Sequence, residues 1–144
     1  MKTDLAKILS VSGQRGLYLY LAQARNGAIA ESLSDKKRTM FDAHSKISTL
    51  ADIAIFTSEG ELRLAEVFTA MKQVADGGTA VPSSRDDADK IKDFFALAIP
   101  NYDADRFYVS HMKKVLDWYG DLEKYASFDF VTDEEREQEE VEEA

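Results

Sequence analysis

Apolar and polar positions along the chain change period several times, and each change predicts an element. Leu5, Ile8 and Leu9 fall on one face of a helix that Thr3 can cap and that stops before Ser12-Gly13. Leu17 to Ala24, LYLYLAQA, has the aromatic and aliphatic content of a strand. Arg25-Asn26-Gly27 follows it, and Asn-Gly predicts a two-residue hairpin loop leading to a second strand from about Ala28 to Leu33. That loop would set Ala24 opposite Ile29, Ala22 opposite Glu31 and Tyr20 opposite Leu33. Tyr20, Ile29 and Leu33 would then share one face, with Leu19 and Leu21 on the other. Apolar residues on both faces imply a strongly curved sheet, or a second cover such as the opening helix.

Arg38 to Ala43 reads as a short third strand and Ile53 to Thr57 as a fourth. Leu64, Val67, Phe68, Met71 and Val74 then recur at helical spacing over a helix near Ala65 to Ala75. Asp76 to Ser84, DGGTAVPSS, is a linker. Ser84 is the expected cap of the next helix, whose stripe is Ala88, Ile91, Phe94, Phe95 and Ala98, and Pro100 ends it. Ser110 opens a last helix with a wide apolar arc from Met112 to Tyr125. Thr132 and Glu135 form a formal capping box, but the following EREQEEVEE has no apolar stripe and repelling like charges.

The fold class is therefore α+β. A small, strongly curved antiparallel sheet, with strands short enough to curl into a partly closed barrel, packs with helices over residues 1–76. A helical module over 84–128 packs on it, and 129–144 is a disordered acidic tail. Each lobe has apolar surface it cannot cover alone, so the two share one core.

Charge sharpens this division. The net charge is −9 over 144 residues. Residues 129–144 hold nine acids and one Arg, and 1–128 hold eighteen acids and seventeen bases, so the body is nearly neutral. Cysteine is absent, which excludes disulfides, thiolate catalysis and Cys-ligated metals. The chain opens without the apolar run of a signal peptide and has no stretch of membrane-spanning length, so a cytoplasmic location is expected.

Candidate chemistry is sparse. His44 and His111 belong to no catalytic or metal motif, and Asp86, Asp87, Asp89, Asp103 and Asp105 read as helix-start and turn acids. The loop Ser10 to Gly16 lacks the lysine of a phosphate-binding P-loop. No catalytic residue, metal or cofactor is expected. Lys36, Lys37 and Arg38 form a compact basic turn; with Arg15, Tyr18 and Tyr20 they sketch a nucleic-acid surface of charge and stacking rings. The aromatic group that includes Trp118 and Tyr125 exceeds what a helix pair needs and suits a protein partner or homodimer.

The phrases ILSVSGQRGLYLYLAQARNGAIAESLSDKKRTMF, STLADIAIFTSEGELRLAEVF and DRFYVSHMKKVLDWYGDL resemble a family of small Bacteroidetes proteins of unknown function, of the DUF5606/DUF6852 type. The resemblance spans roughly residues 5 to 125. It implies a bacterial intracellular protein and supplies no catalytic or binding residue. The expectation is a non-enzymatic interaction or adaptor module, with RNA binding through 36–38 and the first hairpin as the alternative.

Overall fold

The computed structural model describes residues 2–14, 16–132 and 134–138. Among these residues it shows a mixed α+β fold with one five-stranded antiparallel sheet, a separate two-stranded hairpin, three long α-helices and a short helical turn over 134–138. The sheet is built from β1 (Ile8–Val11), β2 (Tyr18–Ala24), β3 (Gly27–Ser32), β4 (Arg38–Asp42) and β5 (Ile47–Thr49). Its order is β4-β3-β2-β1-β5, so β4 and β5 are open edges and the expected barrel does not close.

The opening segment corrects the expected helix. Asp4, rather than Thr3, caps a single 3-10 turn over Leu5–Lys7, its carboxylate accepting the Ala6 N–H at 3.0 Å. The chain then becomes β1. Ile8 enters the main core, whereas Leu9 and Val11 pack on the opposite sheet face with Ala30 and Phe41. Three closely spaced apolar residues suit a helix or a strand covered on both sides, and the second cover decides for the strand.

The first hairpin forms, but one turn residue differs. Ala24 pairs with Gly27 and Gln23 with Ala28, so the loop is Arg25-Asn26 and Gly27 is already in β3. A Cβ on Gly27 would sit 1.9 Å from the Phe41 carbonyl oxygen of β4. The glycine therefore serves close strand approach, not a positive φ. A bulge between Tyr20 and Ala22 then shifts the register and leaves Leu21 out of the ladder.

After β4 the chain crosses to the other edge, where Val11, Ser10 and Leu9 pair with Ile47, Ser48 and Thr49. Next, β6 (Ala54–Thr57) and β7 (Gly60–Arg63) form a tight hairpin. The Thr57 hydroxyl fixes its turn by donating to the Gly60 carbonyl at 2.8 Å and accepting the Glu59 N–H at 3.2 Å.

Helix α1 (Leu64–Asp76) buries Leu64, Val67, Phe68 and Met71 of the predicted stripe and leaves its last member, Val74, half-buried. Helix α2 (Ala88–Ala98) begins after Asp87 rather than Ser84 and buries Ile91, Phe94 and Phe95. Helix α3 (Val109–Tyr125) buries Met112, Val115, Leu116, Tyr119 and Leu122 and begins after Tyr108 rather than Ser110. One main cluster joins residues from Leu5 to Leu122, so both expected modules contribute to the same core.

The tail corrects a further expectation. Its described residues, 129–132 and 134–138, are not a free extension. Asp129 accepts the Thr3 N–H at 2.8 Å, Thr3 accepts the Val131 N–H at 2.9 Å, and Thr3 and Phe130 form a parallel bridge. Phe130 lies over Phe68, with ring centroids 6.1 Å apart. The Thr132 hydroxyl accepts the Glu135 N–H at 3.1 Å and starts a helical turn over 134–138, from which Arg136 reaches Asp4 at 2.8 Å. That N-terminal partner is separated by more than 120 residues, which is why no local pattern announces it. The remainder of the predicted disordered tail, 139–144, lies outside the described residues.

Candidate functional site

Two surfaces stand out, and the first is the free end of the sheet. Register places Ala22, Ile29 and Met40 side by side in one row across β2, β3 and β4. Met40 is 55% exposed, and Leu21 in the neighbouring bulge is 38% exposed. The next row carries Leu19, Glu31 and Arg38, with Arg38 paired to Glu31 at 3.6 Å. The half-buried Ile29 links the exposed apolar side chains of β2 and β4 into a contiguous patch rather than scattered single residues.

This patch adjoins the open edge of β4. Lys37 accepts the Ser32 N–H, and Ala43 donates to the Asn26 carbonyl. Antiparallel alternation then turns the main-chain groups of Thr39 and Phe41 toward β3, and those of Arg38, Met40 and Asp42 toward the open edge.

The residues proposed for nucleic acid are distributed over two faces. Tyr18 and Tyr20 pack with Leu9, Val11, Ala30, Phe41 and Ile47, and the Tyr18 ring meets Phe41 edge-on at 5.0 Å. Arg38 lies three residues from Phe41 along β4 and so faces the other side of the sheet. Lys36 and Lys37 are exposed in the preceding turn, where Lys36 holds a left-handed φ of 63° and Asp35 accepts the Lys37 N–H. The structure thus keeps the basic turn together and sets its arginine apart from the rings. Arg15 lies outside the described residues.

Trp118 lies at the second surface, a polar cleft of about 920 Å³ between α3, the β1–β2 loop, β5 and the segment before α2. Ser10, Ser48, Lys46, Arg85, Lys114 and Asp121 contribute to its lining. Burial pushes the Asp121 carboxyl up, the nearby Asp117 charge adds to this, and the Leu17 backbone N–H opposes it. A Cβ on Gly16 would stand 3.6 Å from Asp121, so the loop passes close over this carboxylate. Periodicity marks Trp118 as partly core but cannot show this cleft, because its walls come from segments distant in sequence.

The histidines have local roles. His111 accepts the Tyr108 N–H at 3.2 Å through Nδ1 at the start of α3. His44 donates its backbone N–H to Asp42 in the turn after β4. Asp86 accepts the Ser83 N–H and faces Lys90, and Asp103 holds Arg106 at 2.8 Å, which keeps the Asp103 carboxyl below its usual range. Among the described residues no three His, Asp or Glu side chains are grouped to hold a metal ion, and no helix is long and apolar enough to cross a membrane.

Comparison with known proteins matches two successive stretches of the chain, whose boundary lies ahead of the expected linker at 76–84. Residues 5–50 match the family model described as domain of unknown function DUF5606, and residues 53–122 match that of DUF6852. The division falls just before β6. A solution NMR structure of a structural genomics target from Bacteroides vulgatus is similar at 39% identity, over 82% of this chain and 84% of that one, with a TM-score of 0.68. No curated protein matches.

Proposed function

We propose that this chain, which belongs to the Bacteroidetes family of unknown function carrying DUF5606 and DUF6852 domains, is a cytoplasmic, non-enzymatic protein-interaction module. Its binding surface is the free end of the five-stranded sheet. One observation carries this reading: the row of exposed Ala22, half-buried Ile29 and exposed Met40 runs up to a strand edge where the outward main-chain groups of Arg38 and Met40 have no protein partner among the described residues. Apolar area supplies affinity and an open edge supplies directional hydrogen bonds, the two ingredients of strand addition. The Phe41 ring reaching Tyr18 across β3 supports strong curvature of the sheet, which leaves this end projecting.

RNA binding through Lys36, Lys37 and Arg38 is the lesser reading. Stacking recognition needs rings and cations around one groove, and here Arg38 and the two tyrosines take opposite faces.

A photo-reactive residue at Met40, with a control at Lys92 on the exposed side of α2, tests the proposal in living Bacteroidetes cells. Protein adducts from position 40, unchanged by nuclease and absent from position 92, are expected. Adducts that nuclease removes, or equal labelling from both positions, would overturn it.

A further inference from the structure

We infer that the occupant of the β4 edge is a second copy of this chain, paired antiparallel about a two-fold axis at Met40. This rests on the interaction reading above and names its partner. The strand reads Arg38-Thr39-Met40-Phe41-Asp42, and its outward main-chain groups belong to the even-numbered residues. Two such edges join only in registers that set even residues opposite even residues, with the free N–H and C=O groups of Met40 and Arg38 and the Asp42 N–H available to pair, while the Asp42 carbonyl already accepts the Ser45 N–H at 3.1 Å.

Among those registers, charge selects one. Centred on Met40, pairing places Arg38 opposite the second copy's Asp42, and symmetry repeats that pair at the other end. Centring on Arg38 opposes two arginines, and centring on Asp42 opposes two aspartates. Intermediate registers set a charge against Met40. The Met40-centred register alone overlaps the whole strand and satisfies both charges.

The side chains agree with the backbone. Arg38, Met40 and Asp42 all project to the face that carries the exposed row. Pairing would join two rows into one, Ala22, Ile29 and Met40 followed by Met40, Ile29 and Ala22 of the second copy. It would bring together the most exposed apolar side chains of the sheet. Arg38 already faces Glu31 within its own chain, so the second copy's Asp42 completes a three-charge cluster. Asp42 uses Oδ1 for the His44 N–H at 2.9 Å and the Ser45 hydroxyl at 3.4 Å, with Oδ2 directed to no protein donor among the described residues. An edge with this self-complementarity closes after two copies, because each β4 is consumed by the other.

Sedimentation velocity on the full chain tests the register. A dimer is expected, and Met40→Lys should yield a folded monomer because a cation would sit against its own symmetry mate. Arg38→Asp and Asp42→Arg should each weaken association about tenfold or more, since one substitution reverses both symmetric pairs. Combining them restores opposite charges and should recover most of the affinity, a result that loss of folding cannot imitate. A monomeric wild-type chain, or a dimer indifferent to both single reversals, would overturn the inference. Adducts from position 40 then separate the two ideas: a foreign protein leaves only the interaction reading standing, and a species of twice the chain mass supports both.

Discussion

The base of the molecule and the free end of its sheet use the same kinds of residue to opposite ends. At the base, Phe68, Phe95, Met71 and Ile91 show no exposed surface, and the segment after α3 returns to cover Phe68 and the Thr3 backbone. At the free end Met40 and Leu21 face solvent beside an unpaired strand edge. Stability is therefore concentrated where the chain's two ends meet, and the surface left for recognition is where β2, β3 and β4 extend beyond the helices.

The largest effect that can break this comparison comes from removing one side chain at each place. Phe68→Ala should cost about 3–5 kcal/mol, because its cavity cannot collapse between α1, Tyr119 and Phe130. Met40→Ala should stay within about 0.5 kcal/mol of the parent, as an exposed substitution does. Guanidinium unfolding at a concentration low enough to hold the chain monomeric gives both values. A costly Met40→Ala would mean that the free end is part of the core.

Much of this division was legible in sequence. The stripes of α1, α2 and α3 have helical spacing over eleven or more residues, and every residue these helices bury belongs to the expected stripe, although Ala88 is exposed and Val74, Ala98, Trp118 and Tyr125 are only half-buried. The first hairpin was found because aromatic and aliphatic runs flank turn residues. Other features depend on contacts that local pattern does not encode. Leu5, Ile8 and Leu9 fit a helix until β2 and β5 claim β1 as a strand between them. Gly27 looks like half of a turn until Phe41 passes within reach of its absent Cβ. Strands β5 and β7 are three and four residues long, too short to show a period. At the candidate site, Arg38 and the tyrosines are close in sequence, and only strand alternation reveals that they occupy opposite faces.

A smaller effect sharpens the account of the base. Deleting 129–144 removes Phe130 from Phe68, two main-chain hydrogen bonds to Thr3 and the Arg136 contact with Asp4. The apolar contact and the partly buried ion pair together should be worth about 2–4 kcal/mol. Neutralising the acids of 139–144 leaves the Thr3, Phe130 and Arg136 contacts in place and should cost less than the deletion. Thermal unfolding of the two variants checks this. Equal behaviour would show that the tail acts through bulk charge and not through the Thr3 junction.

The smallest effect lies in the cleft where sheet and helices meet. Asp121 has its carboxyl pushed up by burial and then by Asp117, so folding favours its protonated form. Its contribution to stability is fully present below the ordinary carboxylate range and is lost as pH rises through the raised folded value. At neutral pH the ionised group therefore works against the fold. Solvent screening keeps the penalty small, because the side chain remains partly exposed. Asp121→Asn keeps an oxygen for the Leu17 N–H and removes the charge, so it should raise Tm modestly at pH 7. The advantage should shrink as pH falls through the carboxylate range, where the parent also becomes neutral. A variant less stable than the parent at pH 7 would mean that the Asp121 charge is already balanced, by Lys124, whose charge opposes the upward shift, or by a cation of the cleft, Lys46, Arg85 or Lys114. The cleft would then belong with the sealed base, its charges serving the fold.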